Sequence, residues 1–140
     1  MRTIEFRGKS VENDHWYYGD LQTNSINDTW ISELDCGEGY KGFFINVKYQ
    51  TVGQFTGKYD ELKNKIFEGD ICEVLYYNHS SPDVKINQEV IFENGCFILR
   101  AKNHLGLELE DSRLYVPLYY SDAPNKIKII GNIHDNSWLL

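Results

Sequence analysis

The segment Glu89-Val90-Ile91-Phe92-Glu93-Asn94-Gly95-Cys96-Phe97-Ile98-Leu99-Arg100 constrains the fold more than any other. Asn94-Gly95 stands between two runs rich in β-branched and aromatic residues. Both residues tolerate the positive φ that a type I′ hairpin turn requires. The spacing predicts an antiparallel hairpin with Val90–Phe92 against Phe97–Leu99. Runs of similar character recur at Thr3–Gly8, His15–Leu21, Trp30–Leu34, Phe43–Val47, Gln50–Phe55, Ile71–Tyr77, Leu105–Glu110, Tyr115–Tyr120 and Lys126–Ile133. Pro117 removes a ladder donor and sets its run at a sheet edge. About five strands follow Ile71, enough for a small closed barrel.

Little helix is expected. Lys58–Lys65 alone has helical promise, with Asp60 placed to cap a single turn. The plausible seam lies between Val47 and Ile66, giving an N-terminal β subdomain over 1–50 and a second subdomain over 51–140. Composition agrees: aromatics reach 14%, with ten Tyr, seven Phe and three Trp, and such residues suit pleated surfaces. The fold class is mostly β.

The net charge of −7 argues against a general nucleic-acid binder, which would present clustered Lys and Arg to phosphates. Cys36, Cys72 and Cys96 form no Cys-x-x-Cys pair and no disulfide framework. Cys72 and Cys96 alternate with strand apolars and read as core fillers. Met1–Arg7 lacks an apolar core of signal-peptide length, and no apolar run approaches the roughly 20 residues that span a bilayer. A cytoplasmic protein without membrane contact is the expectation.

Catalytic chemistry finds no foothold. His15, His79, His104 and His134 sit at no ligand spacing from one another or from a cysteine. His15 and His134 read as lying in β segments, His79 and His104 in loops. The glycines of Cys36–Gly42 lack the Gly-Lys-Ser/Thr of a phosphate loop and read as a connection between strands. No Gly-x-Ser-x-Gly elbow occurs. Glu68-Gly69-Asp70 is the tempting acidic cluster, but an Asp at such a corner more often bonds its own backbone. No catalytic residue, metal or cofactor is expected.

The adjacent aromatics are more informative. Neighbours along a strand point to opposite faces, so Trp16-Tyr17-Tyr18, Tyr76-Tyr77 and Tyr119-Tyr120 each expose a ring unless both faces are covered. Trp16, Tyr17, Tyr18, Tyr76 and Tyr77 are therefore the candidate contact surface. A protein interface suits the acidic charge better than base stacking. Cover by another subdomain of the same chain is the structural alternative.

Four ordered blocks carry a family likeness. They are Met1–Lys9, Trp16–Leu21, Thr51–Gly57 with Asp60 and Ile66–Ile71, and Ile130–Asn136 with Leu139-Leu140. On these blocks the chain resembles the YopX-like family of phage and prophage proteins from end to end. It departs at Leu62-Lys63, where members usually carry Asn-Gly, which suggests a short helical turn there. It departs again at Ser137, where a proline is common. The resemblance implies an SH3-like barrel in the C-terminal part and a virus-derived bacterial setting, with no activity attached. The leading expectation is a non-enzymatic phage accessory protein that works through protein–protein contact, as a homo-oligomer or with another phage or host protein. A nucleic-acid-binding module on an SH3-like barrel, using Lys58, Lys63 and Lys65, is the alternative.

Overall fold

The computed structural model of the chain describes residues 1–24, 26, 28–33, 43–77, 82–102, 115–118 and 126–140. These residues are mostly β, with short 3₁₀ turns at Tyr49–Thr51 and Ser137–Leu139 and no α-helix among them. None of their helical turns is long and apolar enough to cross a membrane. The chain divides into two compact units, Met1–Gly57 and Lys58–Leu140.

Unit 1 contains β1 (Phe6–Lys9), β2 (Trp16–Thr23), β3 (Thr29–Glu33), β4 (Phe43–Val47) and the first part of β5 (Gly53–Tyr59). They pair antiparallel in the order β4-β3-β2-β1-β5. Strand β2 changes partner midway, with Trp16–Gly19 on β1 and Asp20–Thr23 on β3. Gly19 stands at the change, where a Cβ would lie 2.1 Å from the Ser32 carbonyl oxygen. Only a glycine admits so close an approach. Beyond β1 the chain returns to β4: Val11 N–H donates to Asn46 O at 3.0 Å, and Lys48 N–H donates to Lys9 O at 2.8 Å. Val47 packs on Gly8, whose Cβ would lie 2.9 Å from its side chain. The ladder is thus drawn back on itself around Ile31 and Val47, both buried.

Unit 2 contains β6 (Lys65–Phe67), β7 (Asp70–Tyr76), β8 (Val84–Glu93), β9 (Cys96–Arg100), β10 (Tyr115–Pro117) and β11 (Lys126–Asn132). Its sheet runs β10-β9-β8-β7-β11, antiparallel throughout. No ladder joins β10 to β11 among the described residues, so the described sheet is open. One face buries Ile66, Cys72, Val74, Val90, Leu99, Leu118 and Ile127. Removing each such side chain from water stabilises the fold by about 1.5–3 kcal/mol, against the entropy of ordering it.

The expected hairpin is present. Val90, Ile91 and Phe92 pair with Leu99, Ile98 and Phe97, and Asn94 and Gly95 have φ of 50° and 80°. Pro117 lies on the outermost strand, β10. The Glu68-Gly69-Asp70 corner is structural: Asp70 is buried, and Phe67 N–H donates to its Oδ2 at 2.7 Å.

Other expectations are corrected. Lys58–Lys65 holds no helical turn; it is the end of β5, a tight loop and the start of β6. Asp60 N–H donates to Asn64 O at 2.9 Å, Lys63 N–H donates to Asp60 O at 3.0 Å, and Lys63 has a φ of 69°. The loop closes as a hairpin because the strands on either side outweigh one turn of helix. Cys72 is fully buried, but Cys96 is partly exposed beside the hairpin turn. His15 precedes β2 and His134 lies in the turn after β11, so neither is in a strand. Cys36–Gly42, His79, Leu105–Glu110, with His104 before it, and Tyr119-Tyr120 lie outside the described residues.

Candidate functional site

The register of β1 and β2 fixes what the first aromatic group can do. Lys9 lies opposite Trp16 and Arg7 opposite Tyr18, so these four side chains share a face. The Arg7 guanidinium sits 4.7 Å from the centroid of the Trp16 ring and the Lys9 ammonium 5.8 Å from it. Trp16 thus receives two buried cations, each drawn to the negative face of the indole. Lys9 Nζ reaches Asp14 at 3.0 Å, and Lys48 Nζ reaches the same carboxylate at 2.6 Å. The hydrogen bonds from Lys48 and then Lys9 hold the Asp14 carboxyl below its ordinary range. Trp16 is half-buried in this arrangement.

Tyr17 turns to the opposite face, over Gly8, and its hydroxyl accepts from Asn13 Nδ2 at 3.1 Å. Tyr18 is 42% exposed. It borders an open cleft of about 530 Å³ with Thr3, Ile4, Glu5, Asp20, Ser32 and Glu33 around the bare backbone of Gly19. In unit 2, Tyr76 packs against the core, and its hydroxyl donates to Gln88 Oε1. Gln88 is fully buried and passes the connection on, with Nε2 donating to Leu99 O at 3.3 Å. Tyr77 is 41% exposed. Tyr17 and Tyr76 make contacts inside their own units, while Tyr18 in β2 and Tyr77 just past the end of β7 keep much of their rings exposed.

The structure adds a pair that the tyrosine doublets overshadow. Phe43 and Phe44, on the outermost described strand of unit 1, are 62% and 58% exposed. Adjacent residues on a strand point to opposite faces, so each ring is presented on its own side of β4. The alternation rule applied to tyrosine pairs marks Phe43-Phe44 equally well.

Among the described residues no group of three or more His, Cys, Asp or Glu is placed to hold a metal ion. Asp60 is a heavily engaged acid, and its role is architectural. Its Oδ1 accepts from the N–H groups of Leu62 at 2.9 Å and Asn64 at 2.8 Å. Its Oδ2 accepts from Asn64 Nδ2 at 3.2 Å and from Ile129 N–H at 3.3 Å. Burial pushes its carboxyl up, but the bonds from Asn64, Ile129 and Leu62 outweigh that and leave it below its ordinary range.

The fold has a counterpart among solved structures. The protein EF1440 from Enterococcus faecalis superposes with a TM-score of 0.54 at 20% identity, over 100% of this chain and 99% of that one. At that identity the likeness establishes the fold. No curated protein matches the sequence. The YopX protein family model matches residues 5–140, nearly the whole length. The chain belongs to the YopX family.

Proposed function

We infer that this is a phage- or prophage-encoded cytoplasmic accessory protein, non-enzymatic, that works through protein–protein contact and joins first to a second copy of itself. The observation that carries this reading is the exposure of Phe43 and Phe44 on β4. Edge strands are usually guarded by charge, proline or bulges. The five residues of β4, Phe-Phe-Ile-Asn-Val, include none of these. Asn46 and Val47 already meet the Lys9–Val11 segment, so the open part of the edge is Phe43–Ile45, which can pair with its own copy about a twofold axis. In a chain of net charge −7, an uncharged strand is where two copies meet with least repulsion.

Area sets the strength. Four half-exposed phenylalanines across a twofold axis remove roughly 400–500 Å² from water. That falls short of the roughly 1,200 Å² of a stable interface, so the association is concentration-dependent. Sedimentation equilibrium is the test. The wild-type chain should gain mass with concentration, and Phe44→Ser should hold it at monomer mass with an unchanged circular dichroism spectrum. A wild-type chain that stays monomeric at millimolar concentration refutes the self-association.

A further inference from the structure

The face of the unit 2 sheet opposite its core carries a separate feature. Alternation along β7 and β11 sends Val74 and Ile127 into the core, so Glu73, Leu75, Lys126 and Lys128 point the other way. Register arranges them in rows. Lys85, Leu75 and Lys126 stand side by side, and Asn87, Glu73 and Lys128 form the next row. Neighbouring strands lie about 4.8 Å apart, so Lys85 and Lys126 flank Leu75 across roughly 10 Å. Two lysine stems can close that gap over one small anion.

A pocket of about 200 Å³ occupies this place, lined by Glu61, Glu73, Leu75, Lys85, Lys126 and Lys128. Glu61 is held at its border by donating its N–H to Ile127 O at 2.9 Å. The charges do not cancel. Lys85 Nζ lies 2.8 Å from Glu73 Oε1, and that hydrogen bond raises the lysine above its ordinary pKa. Lys126 and Lys128 make no ion pair among the described residues. Three ammonium groups against two carboxylates leave one positive charge here, on a chain whose net charge is −7.

The geometry points to an oxyanion site: a phosphate group seated over Leu75, held by Lys126 and Lys128 with Lys85 at its edge. At about 200 Å³ the pocket has room for a phosphate and its nearest substituent. The phosphate can belong to a free anion, a mononucleotide or a phosphodiester chain.

The test titrates the intact protein with inorganic phosphate and follows backbone amide resonances. Shifts should concentrate at Glu73–Leu75, Lys85 and Lys126–Lys128 and saturate in the millimolar range. Lys126→Gln with Lys128→Gln should abolish them and leave the remaining spectrum unchanged. Glu73→Gln removes a competing carboxylate and releases Lys85, so it should tighten binding about threefold. Parallel arms with a nucleoside monophosphate and a short oligothymidylate identify the source. Tighter binding of the oligonucleotide at the same residues assigns a phosphodiester, and binding of only the small species assigns a free anion. No shift up to about 20 mM phosphate, shifts centred elsewhere, or shifts that survive the double lysine variant overturn the proposal.

Discussion

Among the described residues, unit 1 buries Arg7, Lys9, Ser10, Thr29, Ser32 and Thr51 with only Ile31, Val47 and Phe55 as large apolar partners. Unit 2 buries Ile66, Phe67, Ile71, Cys72, Val74, Ile86, Val90, Ile98, Leu99, Ala101, Leu118 and Ile127, with Asp60, Asp70 and Gln88 as the polar minority. Both are antiparallel sheets of the same chain, yet different forces hold them. Burial of apolar area is non-directional and tolerates adjustment. A buried polar group contributes only while its partner stays in place, and it costs heavily when the partner is lost. Unit 1 therefore depends on specific bonds such as Thr51, whose Oγ1 accepts from Lys9 N–H at 2.8 Å and donates to Lys48 O at 2.7 Å. Unit 2 depends on volume.

Truncation tests that contrast most directly. Leu99→Ala in unit 2 should cost about 2–5 kcal/mol, the transfer energy plus the cavity left behind. Thr51→Val in unit 1 keeps the volume and strands the Lys9 N–H, while Lys48 O keeps the Thr51 N–H, for a cost of about 1–3 kcal/mol. Denaturant unfolding gives both values, and amide exchange shows where each loss falls. A larger loss for Thr51→Val than for Leu99→Ala would break the comparison.

Acid sharpens it. Asp60 titrates below its ordinary value of 3.8 when folded, so its contribution is fully present above that value. It is lost as pH falls through the lower folded value. Among the described residues the buried polar set of unit 1 contains no carboxylate. Its Asp14 is also lowered but is solvent-exposed, where ion pairs contribute little. Below about pH 4, exchange protection should therefore fall first at Leu62, Asn64 and Ile129 of unit 2. Asp60→Asn turns one acceptor into a donor facing other donors. It should cost about 1–3 kcal/mol at neutral pH and less at pH 3, as the wild type loses the same interaction. A variant that parallels the wild type at every pH would remove Asp60 from the explanation.

What the sequence disclosed follows the range of each interaction. Asn94-Gly95 declared its hairpin because positive φ is a property of those two residues, and Pro117 declared an edge because it lacks a donor. Asp60 declared a turn, through its local bonds with Leu62 and Asn64, but not its tie to Ile129, which is 69 residues away. Trp16 looked like a free aromatic until β1 brought Arg7 and Lys9 onto its ring. Gly19 looked like an ordinary strand glycine, since the Ser32 carbonyl that excludes a side chain there belongs to another strand. Phe43-Phe44 was open to the same alternation argument as the tyrosine pairs, but its exposure depends on β4 being outermost. The oxyanion pocket joins three strands and a turn, and no single stretch of sequence shows it.

The smallest expected effect concerns strain, and its sign is opposite. The loop from Asp60 to Asn64 combines a tight turn with a left-handed residue, a position that hairpins usually give to glycine. Here it is Lys63, at φ 69°. A side chain in that region costs about 1–2 kcal/mol, because Cβ crowds the following carbonyl. Lys63→Gly removes that cost but widens the conformational freedom of the unfolded chain by about 0.5–1 kcal/mol. The balance is a gain of about 0.5 kcal/mol, or a rise of a degree or two in Tm for a chain of this length. The same exchange at Gly95, with φ 80° and open space around it, runs in reverse: Gly95→Val should lower Tm through backbone strain alone. If Lys63→Gly lowers Tm instead, the lysine stem contributes packing that outweighs its strained backbone, and even a surface loop of unit 2 follows the volume rule of its core.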